Sequence, residues 1–503
     1  MHHFGVAGDG FLHAPIITQI SLFAPHPPPP LRYHDQIMRR QLLLLLTLLP
    51  AAMANDWPQF RGPNSTGLSP ESNLPLVFSP TQNVVWKTPL PPGHSSPVFS
   101  KSQIFLTGYD DKALYIISLD RKSGAERWRR SLPRARHDEF HKQNSPASPS
   151  PVTDGQNVYA FFTEFGLISY DAAGKERWRL PLGPFNNPFG MGASPVLSGN
   201  TLLMLCDAES GSFFLGINKD TGKQKWRRDR PDVARGFATP VLNGPNEVLV
   251  AGSYQLISYS VSTGEPIWWV GGLTWQLKPT PVLGDGVVYV LGWAGNSDTG
   301  QQEDVPPFSE ALAKWDSNKD GKLAQAEILD PRLTKEWAAM DLDRTGAMEE
   351  RDWKMYQTRR QAVNSVSAIK LGGRGDMTAT NVLWRYHKSL PNTPSPVLHN
   401  GIVYLVKESG ILTALNAKTG EVLKQGRLTG APGDYYASPV VAGDKLYAIS
   451  QEGKVVVVQT GADWQILQVN TMNEAVNSTP AFLDGRIFLR THENLYCFAK
   501  EAK

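Results

Sequence analysis

Asp316, Asn318 and Asp320 place a carboxylate or amide oxygen at every second residue; Gly321 follows in the sixth position of this run and Glu327 closes it in the twelfth. Alternating hard oxygen donors, a glycine for a sharp turn, a main-chain carbonyl at the seventh residue (Lys322) and a closing carboxylate suit a calcium ion. A second run repeats the spacing with Asp341, Asp343, Thr345, Gly346 and the carbonyl of Ala347, but it ends on Asp352. Aspartate is one methylene shorter than glutamate, so bidentate closure is harder and the second loop is expected to bind more weakly. The cofactor that the sequence calls for is therefore Ca2+.

Such loops need helices on either side and a partner loop. Both runs match the EF-hand pattern, and Pro307 to Trp315 and Thr334 to Met340 are helix-compatible. Leu312 and Trp337, each one helical turn ahead of its loop, and Trp353 behind the second are expected to pack these helices. Leu323 and Met348, in the eighth positions, are expected to pair the loops. Residues 297–365 thus form an expected EF-hand pair. Its calcium is expected to order the segment structurally, since extracellular modules bind in the range of about 0.1–1 mM.

The rest of the chain carries a repeat. A Ser/Thr-Pro step recurs at Ser96, Ser150, Ser194, Thr239, Thr280, Ser395, Ser438 and Thr479, at intervals of about 43 residues with one long interruption at the EF-hand segment. Each step leads into short alternating apolar runs, an Asx/Lys-x-Gly turn, and a final strand bearing Trp128, Trp178, Trp226, Trp268, Trp384 or Trp464. Four short strands per repeat, eight times over, predict an all-β eight-bladed β-propeller with the EF-hand pair inserted in the fifth blade. The last repeat has only three strands, and an orphan Trp86 strand precedes the first. Pairing them is expected to close the ring and remove a free sheet edge. The expected organisation is a leading tail at 55–82, blades at 83–296 and 366–503, and the insertion at 297–365.

The Asp-x-x-Thr-Gly-x-x-x-Trp segments and the Ser-Pro-Val steps resemble the repeat of pyrroloquinoline-quinone-type propellers, a superfamily holding both quinoprotein dehydrogenases and the BamB scaffold. The opening Asp56-Trp57-Pro58-Gln59-Phe60-Arg61-Gly62-Pro63-Asn64 resembles secreted propellers of the same repeat. The resemblance implies that ligands sit at one mouth of the central channel, on residues just before each inner strand. Two positions ahead of each Ser/Thr stand His94, Ser148, Gly192, Phe237, Lys278, Thr393, Tyr436 and Asn477. His94, Lys278, Tyr436 and Asn477 are the candidates, together with Trp275, which lies five residues before a step. They read either as a solvated rim or as a pocket for a small polar or anionic ligand. A quinone-dependent dehydrogenase would need an acid there and, in this superfamily, usually a vicinal cysteine pair. The ring holds no acid, and Cys206 and Cys497 are far apart, so pyrroloquinoline quinone is not expected.

From Met38 the chain shows Arg39-Arg40, an apolar run from Leu42 to Leu49, and Ala52-Met53-Ala54. This is a signal peptide pattern over 38–54, with residues 1–37 an upstream extension and the mature chain secreted or periplasmic. No other segment is long and apolar enough for a membrane anchor. With 41% hydrophobic and 19% charged residues the chain can bury a large core, and a net charge of +3 is too balanced for nucleic acid. Arg127, Arg129, Arg130, Arg134, Arg136, His137, His141 and Lys142 form a basic run. It is read as a solvated face or a contact for an anionic partner. The sequence thus favours a secreted, calcium-binding, non-enzymatic interaction or scaffold propeller whose partner is an envelope or extracellular protein or polysaccharide. The alternatives are a quinone-dependent oxidoreductase with a diverged site, or a carbohydrate or cell-wall binding module.

Overall fold

The computed structural model describes residues 57–501; the expected signal peptide and upstream extension lie outside them. Short apolar runs broken by tight turns form eight four-stranded antiparallel sheets, two of them with a further short parallel strand. Their innermost strands begin at Val98, Val152, Val196, Val241, Val282, Val397, Val440 and Ala481, each two residues after a Ser/Thr of the repeated step. This is an eight-bladed propeller. Its apolar clusters are shared between neighbouring sheets: Phe105 and Trp128 of the first blade pack with Val158 and Ile168 of the second, and Leu203 and Phe214 of the third with Val248 and Tyr259 of the fourth. The outermost strand of the eighth sheet is Val84–Pro89, which pairs antiparallel with Asn494–Ala499.

The repeat owes its residues to two devices. At the turn before each outer strand an Asx side chain accepts nearby amides, as Asp120 Oδ1 does from Lys122 and Ser123 and Asn218 Oδ1 from Asp220 and Thr221. A glycine of positive φ ends the turn, and the tryptophan of the preceding blade lies against it. A Cβ on Gly124 would come within 2.4 Å of Trp86, and one on Gly222 within 2.7 Å of Trp178. The indole N–H then donates to a carbonyl of that turn: Trp86 to Lys122, Trp128 to Ala172, Trp178 to Lys219, Trp226 to Val261 and Trp384 to Ala417. Trp268 departs from the pattern and donates to Glu247 of its own sheet.

The second device is at the channel. The amide of Ser96 donates to the hydroxyl of Ser150, Ser150 to Ser194, Ser194 to Thr239, and Thr239 to Thr280. The series continues from Thr280 to Ser395, Ser438 and Thr479, whose amide donates back to the Ser96 hydroxyl. Every repeated Ser/Thr is thus a link between two blades.

The leading tail is more than a lead-in. Trp57 bridges Phe99 of the first blade, the Pro58 carbonyl accepts from Thr153 of the second, and Asn64 exchanges two bonds of 2.8 Å with Leu242 of the fourth. Arg61, fully buried, donates to the Pro396 carbonyl of the sixth at 2.7 Å, and Leu68–Ser69 pairs with the inner strand of the seventh. The tail therefore crosses the channel at the end remote from the mouth. Burial lowers the Arg61 guanidinium to a pKa of about 9.

Residues 293–364 leave the fifth sheet between Val287–Gly292 and Ser365–Lys370. They form helices α1 (Phe308–Trp315), α2 (Pro331–Glu336) and α3 (Glu350–Gln361). Proline in the first turn of α2 and Asp330, whose side chain accepts from the Arg332 amide at 2.9 Å, start that helix. Trp315, Leu333, Trp353 and Tyr356 fill the core of the segment, with Leu312 and Trp337 packed against it.

Candidate functional site

The innermost strands of all eight blades start at one rim, so the residues just before them encircle the channel mouth. His94, Ser148, Gly192, Phe237, Lys278, Thr393, Tyr436 and Asn477 all line a cavity of about 370 Å³, and the ring of Ser/Thr hydroxyls lines it below them. Phe60 of the crossing tail lines its floor. Trp275 does not join them. Tyr254 accepts at its carbonyl from the Leu273 amide and donates its own amide to Thr274, so the chain folds back and the indole lies on the Tyr254 ring, centroids 5.1 Å apart. There it is 2% exposed, in a cluster with Leu342 and Met355 of the insertion. Trp275 is thus a contact between propeller and insertion, and the tryptophan at the mouth is Trp293.

The cavity holds one firm cation and, among the described residues, no carboxylate in its lining. Lys278 Nζ donates to Asn392 Oδ1 at 2.7 Å and to the Trp293 carbonyl at 3.3 Å; burial lowers its pKa to about 8. Behind it the Glu408 carboxylate accepts the Asn392 amide at 3.0 Å, and burial raises that carboxyl. Tyr436 donates to Asp434 at 3.0 Å and accepts from Gln143; burial, then Asp434, pushes its phenol up to about 12. His94 Nδ1 lies 3.5 Å from Ser148 Oγ.

Burial first, then the charges of Arg490 and His492, hold His94 at a pKa of about 4 against an ordinary 6.5. Between those values the unfolded chain takes up a proton that the folded chain refuses. Stability contributed at this residue is therefore intact above pH 6.5 and is lost as pH falls toward 4. His94→Gln is expected to flatten the decline of the urea midpoint across that window.

Part of the basic run builds the mouth. Arg134 forms an ion pair with Glu164, whose side chain is fully buried, and Arg136 donates to the Thr163 carbonyl at 2.7 Å. These bonds fold residues 134–147 over the second blade and bring His141, Gln143 and Asn144 to the cavity. Neutralisation by a distant glutamate corrects the expectation of a solvated face at Arg134. Arg127 and Arg129 remain on the surface, paired with Asp120 and Glu126.

In the insertion, Asp316 accepts the amides of Asp320 at 3.2 Å and Gly321 at 3.0 Å, and Asp341 accepts those of Thr345 and Gly346, each at 3.0 Å. The fourth residues of both loops, Lys319 and Arg344, have φ of 60°, and Gly321 and Gly346 follow at 79° and 82°. Leu323 pairs with Met348. Glu327 returns over the first loop to accept from Ser317, Asn318 and Ala324. Asp352 likewise accepts the amide of the ninth loop residue, Glu349, and is also engaged by Arg351 at 3.2 Å. Among the described residues, no three His, Cys, Asp or Glu side chains converge as a metal-holding group. A loop of this type also draws on an amide oxygen, here Asn318, and on the Lys322 and Ala347 carbonyls.

Among the described residues no acid lines the mouth, Cys206 is buried in the third blade and Cys497 in the eighth, and both are free thiols.

The family model described as outer membrane protein assembly factor BamB matches residues 77–205, 115–269 and 215–502. An outer membrane protein assembly factor BamB from Yersinia pestis is 23% identical over 442 residues, covering 83% of this chain and 99% of that protein. The crystal structure of BamB from Moraxella catarrhalis superposes with a TM-score of 0.53 at 13% identity, covering 82% of this chain and 99% of the other. Quinohemoprotein alcohol dehydrogenase from Comamonas testosteroni gives a TM-score of 0.56 at 12% identity, over 91% of this chain and 82% of its own. At such identities the structural likenesses speak for the fold alone.

Proposed function

We propose a scaffold function on one premise: this chain belongs to the family of the outer membrane protein assembly factor BamB. In this reading it is a non-enzymatic envelope protein that holds other proteins during outer-membrane protein assembly and carries a calcium-binding EF-hand pair in its fifth blade. The observation that carries the reading is the family match across all eight blades, combined with a channel mouth lined, among the described residues, by neither the acid nor the paired thiols a quinone-dependent reaction would use. Propellers serve such roles well because eight stacked sheets give a wide rigid rim on which partners can dock. Among the described residues no helix is long and apolar enough to cross a membrane. Residues 38–54 supply the export signal, and Val84–Pro89 closes the ring.

The insertion supports the calcium part of the reading through its paired loops, the turn geometry shared by Asp316 and Asp341, and the return of Glu327 over the first loop. Asp316, Asn318, Asp320, Lys322 and Glu327 would hold one ion. Asp341, Asp343, Thr345, Ala347 and Asp352 would hold a second more weakly, because the aspartate is one methylene shorter than glutamate and is also engaged by Arg351. A bound ion would act by order rather than by chemistry: it would fix the two loops whose second member rests on the propeller, where Asn186 donates to the Leu342 carbonyl at 2.8 Å.

Deleting the gene in its native host is the test. The expected result is a loss of β-barrel proteins from the outer-membrane fraction, restored by the full chain. Unchanged barrel levels in the deletion strain would overturn the assembly role.

A further inference from the structure

We infer that the channel mouth is a binding site for an acidic sugar, a pyranose bearing one carboxylate. The inference goes beyond the scaffold reading and does not depend on it. A volume of about 370 Å³ falls in the range of small-molecule sites, and the pocket opens at one end while Phe60 lies across the other.

The lining chooses the ligand. Lys278 spends two of its three N–H donors on Asn392 and Trp293 and keeps the third. Among the described residues no carboxylate lines the cavity, and Glu408, set behind Asn392, is engaged by the Asn392 amide. One cation suits one carboxylate; a phosphate dianion calls for several. A free amino acid is disfavoured by the same lining, because its ammonium group would find no acid among the lining residues.

The remaining polar groups are neutral. The side-chain amides of Gln276 and Asn477 and the hydroxyl of Thr393 line the cavity and make no hydrogen bond among the described residues. They are free to serve a ring of hydroxyls, each of which both donates and accepts. Apolar C–H faces of a pyranose in turn need flat apolar surfaces. Trp293, 5.9 Å from Lys278 Nζ, provides one, and Phe237 set edge-on to Phe189 at 6.4 Å provides another. Cation, unpaired amides and aromatic faces thus occur together in one cavity, which is the chemistry of a uronic acid.

The test is a calorimetric titration of the mature chain with glucuronate, glucose and acetate in turn. Glucuronate is expected to bind at least about tenfold more tightly than either of the others, a margin set by one charge-assisted hydrogen bond. Lys278→Met is expected to reduce glucuronate to the affinity of glucose, and Asn477→Ala to weaken both sugars without touching the Lys278 contacts. Circular dichroism confirms that each variant is folded. If Lys278→Met does not fold, Asn477→Ala decides alone. No heat from glucuronate at tens of millimolar, equal affinity for glucuronate and acetate, or sugar binding untouched by folded variants would each overturn the assignment.

Discussion

Arg230→Met is expected to lower the stability of the propeller by about 3–5 kcal/mol, read as a fall in the urea midpoint. Arg230 and Asp207 are both buried, the guanidinium donating to Asp207 Oδ1 at 2.8 Å and Oδ2 at 3.1 Å while also reaching the Tyr259 hydroxyl. The pair lies within the third blade, and the Arg230–Tyr259 bond ties it to the fourth. Burial works against charge on Arg230, but Asp207 and Tyr259 more than offset it and hold its pKa above the ordinary value. Removing the arginine strands a carboxylate that burial already pushes upward. Adding Asp207→Asn to Arg230→Met is expected to recover much of the loss, so that the double variant is more stable than the single one. A larger replacement would not serve: a Cβ on Gly236 would already lie 2.2 Å from Asp207 Oδ2. Equal midpoints for the single and double variants would refute the account.

Asp316→Ala is expected to abolish calcium binding by the first loop, seen as loss of the calorimetric signal near millimolar ion, whereas Asp352→Ala should change calcium binding little. The two differ in the loop they serve. Asp316 organises the first turn by accepting the amides of Asp320 and Gly321, while Asp352 closes the second, weaker loop and is also engaged by Arg351. If the site has a dissociation constant of about 0.1–1 mM, raising calcium to ten times that value stabilises the segment by about 1.4 kcal/mol. Chelation should therefore lower the melting of the insertion while leaving the blades unchanged. A native chain that gives no calcium heat, or a full signal in Asp316→Ala, would overturn the calcium reading.

Periodicity made the propeller legible. One repeated Ser/Thr-Pro step marks the start of every inner strand, and counting back two residues reaches eight positions around the cavity. What the period does not carry was hidden. Phe60 comes from the tail, Asn392 from a loop of the next blade, and Gln143 from an excursion held down by Arg134 and Glu164. Trp275 shows the limit most plainly: five residues from a step it lies outside the cavity, because bonds to Tyr254 reverse the chain before it arrives. Distance along a loop does not measure distance in space. The tail's role was equally invisible, since a segment that bonds to six blades in turn has no pattern of its own.

The amide-to-hydroxyl series from Ser96 through Thr479 and back has one property that no open run of hydrogen bonds shares. All eight links point the same way round the channel, so their dipoles form a circulating current of polarity with neither a positive nor a negative end. A helix of similar extent would present opposite partial charges at its two termini. Each hydroxyl that accepts an amide keeps its own proton for the channel, so the lining offers donors evenly in all directions without a net field along the axis. Orientation of anything that enters is thereby left to Lys278 above the circle. Breaking any one link, for example with Thr239→Val, would give the circle a beginning and an end for the first time.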